Sequence, residues 1–222
     1  MRLFVGLLPP QPVRDELARA LGPHRAAWPR LRWIDQANWH LTLAFLGEVP
    51  EQVLPELHER LARAVSRHAP MTLAFTGAGA FPSARRARVF WAGLREDGPH
   101  EAGLREDGPH EVGLHGDGLH GDGLRKGGRS PLVRLAGSVA AGARRAGAVQ
   151  VDESRRYRPH LTLARSREDA DVRPLVEAFE SFAGAPWEAG TAHLVRSHLG
   201  AAVRYETVAE WPLTARAPGG RG

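Results

Sequence analysis

The chain repeats five of its residues. HLTLA stands at 40–44 and again at 160–164. In an extended strand, residues i and i+2 point to one face and their neighbours point to the other. His40 and Thr42 therefore share a face, with Leu41 and Leu43 opposite; His160 and Thr162, with Leu161 and Leu163, repeat the arrangement. Each copy sets an imidazole and a hydroxyl side by side above an apolar underside. Similar surroundings flank the two copies, a strand followed by a helix and then more strands. The chain thus reads as two similar halves. A two-fold relation between them would let the two His–Thr pairs meet across a cleft.

Periodicity supplies the rest of the outline. Strands are expected at 3–8, 32–34, 40–46, 71–76, 89–94, 161–163, 193–197 and 203–211. Helices are expected at 10–21, 50–68, 132–146 and 172–182. In the second of these, Val53, Leu57, Leu61 and Val65 recur at steps of four, which puts them on one helical stripe. The order lacks the strict β–α alternation of a doubly wound sheet, so the class is α+β. Strict alternation sends Phe45 to the core with Leu41 and Leu43. It also sends Arg165 away from His160, unless the strand ends or twists there. Trp39, Trp91, Trp187 and Trp211 lie in or beside strands and are read mostly as core. Tyr157, just before the second copy, suits either the cleft or a structural role.

The middle differs in kind. AGLREDGPHE at 92–101 is repeated at once at 102–111, then decays into VGLHGDG, LHGDG and LRKGG. The period is too short for stacked repeat units. Rich in Gly and charge and poor in apolar residues, the stretch buries too little surface to offset its ordering entropy. Residues 95–130 are therefore read as a mobile loop insertion in a single domain spanning 1–222, and 215–222 as a disordered tail. Four histidines fall in the repeat, but HEVGLH at 110–115 is not HExxH, because its second His comes one residue too late.

Composition narrows the chemistry. With no cysteine among the 222 residues, disulfides, thiolate nucleophiles and Cys-based zinc sites are excluded. No P-loop, G-x-S-x-G or dinucleotide fingerprint occurs. No run approaches the roughly 20 apolar residues of a membrane helix, so a cytoplasmic protein is expected. Net charge is +5, but 95–128 carries eight acidic and four basic residues, which leaves +9 on the remainder. A basic body suits an anionic partner such as RNA, and equally reflects plain arginine usage.

Two histidines near neutrality can take opposite roles, one neutral and accepting a proton from water, the other charged and donating to a departing oxygen. Threonine hydroxyls can hold non-bridging phosphate oxygens. The natural substrate is a phosphodiester broken by in-line attack, with no metal or cofactor required.

In MRLFVGLLPP at 1–10, WHLTLAFLGEVP at 39–50, VFWAGL at 89–94 and YRPHLTLAR at 157–165, the sequence resembles the 2H phosphoesterase family. Within it, the chain is most similar to the RNA 2′,3′-cyclic phosphodiesterase branch. The resemblance covers nearly the whole chain except the insertion and tail. It implies a bilobal α+β fold of two pseudo-symmetric lobes around a central cleft, and hydrolysis of an RNA terminal 2′,3′-cyclic phosphate to a 2′-phosphate. It makes His40 the proton donor and His160 the proton acceptor, with Thr42, Thr162 and Arg165 on the phosphate. Reverse 2′–5′ ligation is allowed by the same site. A monomer is the default expectation. Two alternatives stand beside this reading: an enzyme for another cyclic or 2′–5′ diester, and a non-catalytic RNA-binding module.

Overall fold

In a computed structural model, residues 1–97, 130–148, 157–198, 200 and 203–214 are described. The repeats beyond residue 97, with their histidines, and the tail from 215 lie outside them.

The elements follow in the order β1 (Arg2–Leu7), α1 (Gln11–Ala27), β2 (Arg32–Trp33), β3 (Leu41–Glu48), α2 (Leu54–Val65), β4 (Met71–Phe81), β5 (Ala87–Asp97), α3 (Pro131–Arg145), β6 (Leu161–Ala170), α4 (Arg173–Ala178), β7 (Trp187–Ala189), β8 (Thr191–His198) and β9 (Arg204–Pro212). Prolines open α1, α2, α3 and α4 at positions where a missing N–H is harmless. Ser130 adds a side-chain cap to α3 by accepting from the Val133 N–H. The expected helix at 172–182 shortens to α4, because the chain after Ala178 turns to bring Gly184 onto the Phe75 carbonyl at 2.9 Å. The start of the one expected at 50–68 is a 3-10 turn, Glu51–Val53. Strand β7 had no expected counterpart.

One antiparallel sheet runs in the order β7-β4-β5-β6-β3-β1-β8-β9, with β2 added beside β6. From the β6–β3 centre outward, β5, β4 and β7 on one side mirror β1, β8 and β9 on the other. The chain order matches: β1-α1-β3-α2 is repeated as β5-α3-β6-α4. The two lobes exchange strands, since β4 follows the first half yet pairs with β5, and β8 follows the second yet pairs with β1.

The sheet's two faces differ. Leu41, Leu43, Leu161 and Leu163 are buried beneath the helices with Leu57, Leu61, Leu135 and Val139. Each such side chain contributes about 1.5–3 kcal/mol through removal from water. On the helical side α3 approaches α2 closely at Gly142, where an added Cβ would lie 3.2 Å from the Arg60 carbonyl oxygen. The other face is concave. Strands β3 and β9 are three spacings apart, about 14 Å in a flat sheet. Yet the Tyr205 ring on β9 comes within 5.1 Å of His40, beside β3. The sheet must curl around that face.

Candidate active site

The two HLTLA copies pair with each other. Leu41 and Leu161 are register partners at the centre of the sheet. His40 thereby stands opposite Thr162, and Thr42 opposite His160, so the pseudo-two-fold passes through the site. All four side chains lie on the concave face, as the alternation predicted.

Both imidazoles are held alike. His40 Nδ1 lies 2.8 Å from the Asn38 carbonyl oxygen, and His160 Nδ1 lies 2.7 Å from that of Arg158. A carbonyl only accepts, so each Nδ1 carries the proton and each neutral ring keeps Nε2 free as a base. Rings pack around each histidine: Phe4 at 4.4 Å and Tyr205 edge-on at 5.1 Å about His40, and Phe81 at 5.0 Å and Trp91 at 6.1 Å about His160. The Trp91 indole lies on Gly79, where an added Cβ would come within 2.3 Å of it.

Burial among these rings holds His40 down at about 4, opposed by its carbonyl contact and assisted by the positive charges of Arg165 and His160. His160 is held below its ordinary value for the same first reason, again with Arg165 assisting. At pH 7 burial thus favours the neutral form of both imidazoles.

Alternation fails one turn further on, in the same way in both copies. Thr162 pairs with Trp91 but Ala164 with Phe90, which leaves Leu163 as an extra residue. Thr42 pairs with Gly6 but Ala44 with Val5, which leaves Leu43 extra. These are β-bulges, and each returns the following side chain to the opposite face. Arg165 accordingly joins the His160 face, where its charge acts on both histidines. Phe45 is corrected too: it is not core but 57% exposed on the concave face, its ring 6.3 Å from Phe4. Leu43-Ala44 and Leu163-Ala164, two apolar residues in succession, are the sequence trace of the bulges.

Other side chains complete the site. The Tyr157 hydroxyl donates to the Thr42 carbonyl at 2.9 Å, tying the second copy to the first. His193, which carried no spacing signal, is the register partner of Gly6 and so faces the same side, 3.5 Å from Glu210. Trp39 and Trp187 are buried as expected, whereas Trp91 lines the site. Among the described residues, no group of three or more His, Asp or Glu side chains gathers as a metal site. Also among them, no helix is long and apolar enough to cross a membrane.

A pseudo-two-fold antiparallel sheet with a His-x-Thr pair in each half is the architecture of the 2H phosphoesterases. The family model described as LigT like phosphoesterase matches residues 7–91 and 123–205, and the chain belongs to that family. A Thermus thermophilus protein named RNA 2′,3′-cyclic phosphodiesterase is 30% identical over 209 residues, covering 90% of this chain and 83% of the relative. One of that name from Geobacillus stearothermophilus is 28% identical over 211 residues, covering 94% of this chain and 55% of the relative. The chain spans about half the length of the first curated relatives it matches. A solved structure from Thermus thermophilus superposes with a TM-score of 0.70 at 25% identity, covering 98% of this chain and all of that one. Apo LigT from E. coli shares the fold, with a TM-score of 0.65 at 23% identity over 96% of this chain and 98% of its own.

Proposed function

We propose that this chain hydrolyses the 2′,3′-cyclic phosphate at an RNA end to a 2′-phosphomonoester, by paired-histidine acid–base catalysis without a metal ion. The observation that carries the reading is the pairing of two histidines across one pseudo-two-fold, each with Nδ1 tied to a carbonyl and Nε2 free. Relatives named for this activity support it.

His160 Nε2 takes a proton from water as the water oxygen bonds to phosphorus. On the opposite side the P–O3′ bond breaks, and His40 supplies a proton to O3′. The two protonation states exchange, and bulk water restores them. Thr42 and Thr162 donate to the non-bridging oxygens, and Arg165 neutralises the charge that grows there. The arriving phosphate anion draws the imidazoles back up, so that one of the pair carries a proton near neutrality. 2′–5′ ligation is open to the same site when a 5′-hydroxyl takes the place of water: its oxygen bonds to phosphorus as P–O3′ breaks, His160 takes its proton and His40 protonates O3′. The basic body outside 95–128 favours an RNA partner.

The test is end-group analysis of an RNA oligonucleotide carrying a 2′,3′-cyclic phosphate, incubated with the protein and EDTA. Formation of a 2′-phosphate is the expected result. An unchanged end, or turnover only on adding a divalent ion, overturns the reading.

A further inference from the structure

Three arginines gather about the Tyr205 ring beside His40. Arg2 precedes Phe4 by two residues on β1 and so shares its concave face. Arg32 on β2 is the register partner of Arg165 on β6, and shares the face to which the bulge has turned Arg165. All three arginines are exposed. Their charges converge on Tyr205, the ring set edge-on against His40. Among the described residues, no carboxylate pairs with any of the three. Glu48, the register partner of Arg2, pairs instead with the N-terminal ammonium at 3.5 Å. The ring neighbours of His160 are Phe81 and Trp91. Uncompensated guanidinium groups from three strands, gathered about one ring, suit an anion.

The direction of the reaction says what lies there. This step rests on the function proposed above. The bond that breaks is P–O3′, and O3′ belongs to the ribose, so the proton donor His40 stands on the nucleoside side. From that ribose the RNA continues through its 5′-oxygen to the next phosphate. Arg165 is already committed to the reacting phosphate, which leaves Arg2 and Arg32 without a ligand.

We propose that Arg2 and Arg32, together with the Tyr205 hydroxyl, form a second phosphate subsite for the internucleotide phosphate immediately 5′ of the terminal nucleotide. The subsite makes the enzyme one for polynucleotide ends rather than for free cyclic mononucleotides. It also orients the terminal ribose so that O3′ faces His40.

The test compares kcat/KM for a ribodinucleotide ending in a 2′,3′-cyclic phosphate with that for cytidine 2′,3′-cyclic monophosphate, which has no second phosphate. The protein prefers the dinucleotide by about tenfold or more, the scale of a charge-assisted contact. In Arg2→Ala/Arg32→Ala that preference collapses toward one, and in Arg2→Lys/Arg32→Lys most of it remains. The salt dependence of RNA binding also flattens in the alanine pair, by about 0.7 in the log–log slope for each phosphate no longer neutralised. Absence of a preference in the unaltered protein, or one that survives the alanine pair, overturns the subsite while leaving the hydrolytic reading intact. If neither substrate turns over, the hydrolytic reading fails. Anisotropy with a labelled RNA trinucleotide then decides the subsite alone: weaker binding in the alanine pair supports it, and unchanged binding overturns it.

Discussion

Leu41 and Leu161 face each other across the centre of the sheet, so each histidine sits opposite the threonine of the other copy. A repeat 120 positions apart becomes one site because β3 and β6 pair antiparallel about that point.

From beyond the bulge at Leu163, the charge of Arg165 acts on both histidines. Arg165→Ala is expected to lower kcat/KM by about 10²-fold or more, the scale of a lost transition-state donor. Removing a positive charge also makes each imidazolium easier to form, so the kcat/KM profile moves to higher pH. A small loss with an unmoved profile contradicts the placement.

Two pH profiles separate the free from the bound site. Burial holds His40 at about 4 and His160 below its usual value in the free protein. A bound phosphate anion is expected to raise both. The alkaline limb, where the acid loses its proton, therefore lies at lower pH in kcat/KM than in kcat. Steady-state rates between pH 4 and 9 check this, and coincident limbs count against it.

Phe45 offers an exposed ring on the concave face. Stacking of a base on an aromatic ring contributes about 1–3 kcal/mol, so Phe45→Ala is expected to raise KM for an RNA substrate by about tenfold. Stability should change only modestly, because the side chain is more exposed than buried. A large drop in unfolding midpoint with KM unchanged would mean a packing role instead.

Tyr157→Phe removes the hydroxyl that donates to the Thr42 carbonyl. Denaturant unfolding should show a loss of about 1 kcal/mol, the usual net contribution of such a bond. The rate should fall as well, because the Thr42 backbone loses its tie to the second copy. Unaltered stability would place that carbonyl's satisfaction elsewhere.

The His–Thr pairs were legible because period two needs no knowledge of partners. Phe45 departs from strict alternation, and alternation does not decide Arg165, for one shared reason: a one-residue bulge reverses every later side chain, and bulges depend on pairing with β1 and β5. The same holds for His193, Arg2 and Arg32, whose faces follow from partners far along the chain. The helix expected at 172–182 failed through tertiary override, its last turn giving way to backbone bonds with β4.

If the two copies act as one acid–base pair, neither histidine can be spared. The most direct measurement is the single-turnover rate of His40→Ala and of His160→Ala on RNA ending in a 2′,3′-cyclic phosphate, with EDTA present and folding confirmed by circular dichroism. Each variant is expected to lose about 10²–10⁴-fold. A rate near that of the unaltered protein in either variant would contradict the account.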